Sequence, residues 1–260
     1  MEMTTQMEQT DAGQGKVDRV GPQPRAAEPS AGLLSRFIGV LFSPRRTFAQ
    51  VAKQPHWLGM LLLVVIIGAV ATGGFLSTKV GQDAYLDEAV RRVEAGGGRM
   101  SDQQYQAVER MLPYMGYITA AGVLVMAPLI TLVLSGILYA VFGAVLGGEG
   151  TFKQVFSVVA HCGAVSAVGQ LFMLPLNFIR QSMSGATNLA VFFPMLDEGS
   201  FLARLLGSVD LFLVWWVMVL AIGMAVLYRR KTRPIAISFF AVYALIAVGI
   251  AAYYALRSSS

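Results

Sequence analysis

The chain has 260 residues, of which 55% are hydrophobic and 13% charged, with a formal charge of +5 and a mean hydropathy of +0.60. Soluble domains carry about 25% charged residues, so the composition excludes a soluble monomer, and its apolar runs reach the ~20 residues a helix needs to cross a hydrocarbon core. A single cysteine, Cys162, excludes an intramolecular disulfide framework and a multi-cysteine zinc site, and cations placed beside apolar runs argue against nucleic acid as a partner.

Residues 1–31 are polar and aperiodic, the pattern of a disordered cytoplasmic tail. Residues 1–30 hold no apolar h-region, so the first anchor is expected to be a retained helix. Residues 32–56 read as a basic amphipathic interfacial segment. Leu33, Leu34, Phe37 and Leu41 share one helical face, and Ser43 and Pro44 have the form of an N-cap and first-turn proline. Arg36, Arg45, Arg46 and Lys53 carry its polar side without an acid among them, which makes them candidate lipid-headgroup contacts.

Residues 57–256 are predicted to form an all-α membrane domain, a bundle of five transmembrane helices with spans at about 57–77, 115–147, 152–174, 210–228 and 234–256. Between the first two spans, Tyr85, Leu86, Ala89 and Val93 suit an amphipathic helix ending at glycines 96–98, and Ser101 with Gln104 forms a capping box for the next. No polar loop divides the apolar stretch from Met111 to Gly148, and Pro128 is expected to kink one tilted helix. Thr151 and Gln154 repeat the capping box, and Pro175 is expected to close the third span. Lys and Arg concentrate in short cytoplasmic loops. An inside N-terminus puts Lys53, Lys153 and the Arg229 to Arg233 cluster on one side, whereas a sixth span would move that cluster outside.

His161 is the candidate centre of an intramembrane polar site with Ser157, Ser166, Gln170 and Asp210. Ser157 and His161 share a face, while Ser166 and Gln170 lie about 140° away around the helix. That division favours a central helix with protein on both sides, and a neutral imidazole bonded within the bundle, over a proton relay or metal ligand. Asp210 suits the N-cap of the fourth span, with an ion pair to Arg180 or Arg204, or a conduction role, as the other readings. Gly136, Ala140, Ala144 and Gly148 recur every four positions, with Gly143 and Gly147 as a neighbouring GxxxG, and make a small-residue stripe for helix packing, within the chain or at a seam between copies. HExxH, P-loop, GxSxG and GxGxxG signatures are absent from the sequence, so no catalytic residue, cofactor or metal is expected.

Leu41-Phe42-Ser43-Pro44, the run Gly147-Gly148-Glu149-Gly150-Thr151-Phe152-Lys153-Gln154, Asn188-Leu189 and the stretch Val209 to Trp215 follow in an order and spacing that resemble the prokaryotic branch of the Yip1 domain family, over about residues 33 to 256. The resemblance implies a five-span membrane domain with a cytoplasmic N-terminal tail and no shared catalytic residues. Eukaryotic relatives are Golgi and endoplasmic reticulum proteins that associate with Rab GTPases and with one another. The expected function is a non-catalytic membrane organiser or adaptor, in a bacterial cytoplasmic membrane with the C-terminus outside. Its expected partners are the lipid bilayer, proteins of unknown identity and a second copy of the chain. The alternative is a small-solute or ion transporter using the polar residues of the third span.

Overall fold

The computed structural model describes residues 32–258 apart from 184, 186, 194 and 197–199. The tail expected over 1–31 lies outside the described residues. The elements in chain order are α1 (Leu33–Phe42), α2 (Pro44–Lys53), α3 (Leu58–Leu76), α4 (Lys79–Ala95), α5 (Asp102–Tyr139, continued by a π turn over Ala140–Val145), α6 (Phe152–Arg180), α7 (Phe201–Gly207), α8 (Leu211–Leu227) and α9 (Thr232–Ser258). Among the described residues there is no β-strand, only an isolated antiparallel bridge between Asn188 and Asp210.

Helices α3, α5, α6 and α9 are each long and apolar enough to cross a bilayer. Helix α8, at 17 residues, covers about 25 Å at 1.5 Å per residue, the short end of the spanning range. Helix α6 is the axis of the fold, packed against α3, α5 and α8, with Val155, Val158, Val165 and Ala164 fully buried. Helices α5 and α9 are peripheral and turn Ile130, Ile137, Leu245 and Ile246 outward. An apolar face of that kind is stable against lipid tails.

Local sequence chemistry sets several helix starts. Ser101 and Gln104 close a capping box at the start of α5, and Thr151 and Gln154 close another at α6. Each satisfies amide donors that the first turn leaves without an intrahelical partner. Ser43 occupies the N-cap position of α2 without bonding through its hydroxyl. Its carbonyl accepts instead from Thr47 Oγ1 at 3.1 Å.

Three expectations need correction. First, Pro175 does not end the third span, because α6 runs through it to Arg180. A proline removes one i to i−4 bond, and membrane helices tolerate that where neighbouring helices hold the segment. Second, α1 and α2 do not rest their whole apolar side on lipid. Val40, Phe48 and Val51 are buried in the main core with Val158, Val219 and Met224. Gly223 opens the slot for Phe48: a Cβ there would lie 2.6 Å from Val158 Cγ1 and 3.2 Å from Phe48 Cζ. Of the apolar side chains of α1, Leu33, Leu34, Ile38 and Phe42 are exposed, while Phe37 and Leu41 pack against the core.

Third, Gly136, Ala140, Gly143, Ala144 and Gly147 do not pack α5 against another element of the chain. A Cβ on Gly136 or Gly147 would meet nothing within 4 Å and one on Gly143 nothing closer than 3.9 Å, while Ala140 and Ala144 are exposed. Gly148, at the end of the stripe, does pack within the chain, against the Tyr228 ring, and close approach is also permitted by Gly73 and Gly116 where α3 crosses α5, by Gly163 and Gly169 on α6, and by Gly223 on α8. A Cβ on Gly73 would lie 2.9 Å from the Gly116 carbonyl oxygen, and one on Gly163 would lie 3.0 Å from Val64 Cγ1.

Candidate functional site

The polar residues of α6 divide into two separate groups. His161 and Ser157 belong to the first. His161 is 0% exposed and its Nδ1–H donates to the Ser157 carbonyl at 2.7 Å. The second ring nitrogen, Nε2, and Ser157 Oγ are both buried without a hydrogen-bond partner. Among the described residues no three of His, Cys, Asp and Glu come together in a metal-holding group. Cys162 is also buried, one residue on and about 100° around the helix from His161.

Ser166, Gln170 and Asp210 belong to the second group, where α3, α6 and the start of α8 line a half-open cavity of about 520 Å³. Thr72 and Asn177 complete its polar lining. Thr72 Oγ1 lies 3.1 Å from Gln170 Oε1 and 2.9 Å from the Gly68 carbonyl. Asn177 Oδ1 is buried with no partner. His161 is not among the cavity's lining residues, so the five residues of the expected polar site do not form one site.

Asp210 is the N-cap of α8. Its Oδ1 accepts from the amides of Phe212 at 2.8 Å and Leu213 at 3.0 Å, and its Oδ2 accepts from Thr187 Oγ1. The segment before it is pinned by the Leu189 amide to Val209 carbonyl bond at 3.0 Å and the Leu211 amide to Thr187 carbonyl bond at 3.1 Å. A carboxylate holding two amides at the positive end of a helix is electrostatically satisfied where it stands. Thr187 and Asn177 are participants that the sequence does not reveal, because neither lies on a periodic polar face with Asp210.

The opposite end of the bundle is basic. There α2, the turn at 146–151, and the turn between α8 and α9 converge. Arg45 donates to Thr232 Oγ1 at 2.9 Å, Gln154 Nε2 donates to the Ala52 carbonyl at 2.8 Å, and Arg230 donates to the Leu146 carbonyl at 2.7 Å. Arg36 donates to the His56 carbonyl at 3.4 Å. Of the four expected headgroup contacts, Arg36 and Arg45 therefore stitch the chain together, while Arg46 and Lys53 are exposed. Lys153, Arg229, Lys231 and Arg233 share this end, and Glu149 is the acid among them. By contrast α4 balances its charges along its own surface, with Lys79 to Asp83 at 2.9 Å and Glu88 between Arg91 and Arg92, each at 3.1 Å.

The Yip1 domain matches residues 38–253. A Bacillus subtilis (strain 168) protein described as membrane protein YknW is 26% identical over 226 residues, covering 85% of this chain and 88% of that protein. No solved structure matches significantly.

Proposed function

The chain belongs to the Yip1 domain family and is an integral membrane protein, and from that premise we propose that it is a non-catalytic organiser or adaptor whose basic end engages lipid and protein partners. The observation that carries the reading is how the polar groups are used. Asp210 caps α8, Gln170 meets Thr72 and His161 bonds its own helix, whereas Arg46, Lys53, Lys231 and Arg233 stand exposed at one end. That end faces the cytoplasm, by the preference of Lys and Arg for short inner loops, and the membrane is a bacterial cytoplasmic membrane, as the Bacillus relative suggests.

Deleting α1 and α2 is no test, because Val40, Phe48 and Val51 belong to the core. Arg46→Gln, Lys231→Gln and Arg233→Gln together leave that core untouched. Quantitative cross-linking in native membranes should show the partner set of the wild type reduced on the order of 100-fold in this triple variant, from roughly 1 kcal/mol for each of its surface charges. An unchanged partner set at equal abundance would refute the basic-end reading. A separate deletion of residues 2–31 asks the same of the N-terminal stretch.

The cavity at Ser166, Gln170 and Asp210 favours a second reading, transport of a small solute. A through path at His161 is disfavoured by its 0% exposure. Flux into liposomes that is lost in Gln170→Ala and kept in His161→Ala would support transport through the cavity; equal background flux in all three proteins would remove it for the solutes tried.

A further inference from the structure

We infer that the basic end holds a built site for the phosphate-bearing headgroup of an anionic lipid, in a cavity between the end of α2, the turn at 146–151 and the end of α8. The cavity measures about 540 Å³, within the 300–1,000 Å³ range of small-molecule sites. Its polar wall presents Lys53, Arg229 and Arg230 against a single acid, Glu149, and its apolar wall is built from Ala49, Val226 and Leu227. An anionic lipid has this same division, a charged phosphate joined to hydrocarbon, and basic pockets between helices on the cytoplasmic side are where such headgroups bind.

The site has a specific construction. Gly148 must be glycine, since a Cβ would collide with the Tyr228 ring and lie 2.8 Å from the Phe142 carbonyl oxygen. Tyr228 stacks on Phe142 with ring centroids 5.1 Å apart. Tyr228 lines the cavity and is only 8% exposed, yet its hydroxyl has no hydrogen-bond partner. Arg229 adopts φ 51°, a left-handed conformation costly for a residue with a Cβ, and it places two consecutive guanidinium groups at the turn. Arg230 uses a donor on the Leu146 carbonyl, which leaves others of its five for a ligand. The side chains of Lys53, Arg229 and Glu149 make no hydrogen bond or ion pair among the described residues. A planar fork and an ammonium around one cavity suit a phosphate diester.

The inference rests on the lipid half of the proposed function and stands if the chain has no protein partner. The test uses the purified full chain in detergent, titrated with phosphatidylglycerol, phosphatidylcholine or glycerol 3-phosphate, with bound ligand counted by native mass spectrometry. Phosphatidylglycerol should bind in preference to phosphatidylcholine. Lys53→Gln and Arg229→Gln should each weaken it about 5-fold and together about 25-fold, Glu149→Gln should strengthen it, and Arg91→Gln on α4 should leave it unchanged. If these cations serve only to neutralise the C-terminal carbonyls of α2 and α8, the variants will lower the melting temperature and leave lipid binding at the wild-type level, which would overturn the proposal. Displacement of the lipid by glycerol 3-phosphate would assign the cavity to a soluble phosphate compound and overturn the lipid source.

Discussion

Gly223→Ala isolates the contact that docks α2 onto the bundle. The added Cβ would lie 2.6 Å from Val158 Cγ1 and 3.2 and 3.3 Å from two ring carbons of Phe48. Carbon atoms sit comfortably at about 3.5–4.0 Å, so Val158 or α8 must move by roughly 1 Å. Val158 is fully buried and stiff at χ1, so overpacking should cost about 2 kcal/mol, within the 1–3 kcal/mol usual for such insertions. Alanine returns about 1 kcal/mol of helix propensity over glycine, which leaves a net loss of about 1 kcal/mol. Gly136→Ala is the control, since a Cβ there meets nothing within 4 Å and the propensity gain should appear undiminished. The two variants should thus differ by about 2 kcal/mol in SDS unfolding followed by far-UV circular dichroism. The double variant Val158→Ala/Gly223→Ala should be more stable than the sum of the singles by at least about 0.5 kcal/mol, the coupling expected of residues in contact. Equal stabilisation by Gly223→Ala and Gly136→Ala, or strict additivity of the pair, would refute this packing of α2, α6 and α8.

Asp210→Ala removes the cap of α8 and its Thr187 bond and should cost about 1–2 kcal/mol, while Asp210→Asn keeps an acceptor and should cost well under half of that; both are read by the same unfolding titration. Phe48→Ala, at a fully buried ring, should cost about 3–5 kcal/mol, whereas a value below about 1 kcal/mol would mean that α2 lies on lipid. Gly136→Leu should stabilise the monomer by nearly as much as Gly136→Ala, and sedimentation equilibrium in detergent shows whether it also disrupts an association of copies through the outward stripe with Ala140 and Ala144. Gly73→Val, facing the Gly116 carbonyl, should by contrast destabilise by at least about 2 kcal/mol.

What the sequence made legible is what local chemistry decides. The capping boxes at Ser101 and Thr151 involve residues three apart, and the unbroken run through Pro128 is one helix because nothing polar interrupts it. Pro175 misled because a proline's missing donor matters less when neighbouring helices hold the turn than it would in an isolated helix. The stripe at Gly136 misled for a different reason. Helix α5 is apolar all round over its membrane part, so hydropathy carries no phase that says which side meets protein and which meets lipid. The grouping of Ser166, Gln170 and Asp210 apart from His161 depends on where α3 and α8 cross α6, and the Thr187 to Asp210 bond joins residues 23 apart. Neither follows from spacing on one helix. The basic residues after α8 read as topology signals in the sequence; only the folded chain brings Arg229 and Arg230 to the same cavity as Lys53.

The central claim, a five-crossing bundle with its basic end in the cytoplasm, is tested most directly by single-cysteine labelling. Cys162 is buried and would be replaced by alanine, with cysteines then introduced singly at Arg46, Glu149 and Lys231 on the basic end and at Asp87, Asp102 and Ser208 on the other. In right-side-out vesicles a membrane-impermeant maleimide should label the second set, and in inverted vesicles the first. Labelling of Lys231 and Glu149 from opposite sides, or of the basic set from outside, would contradict the account.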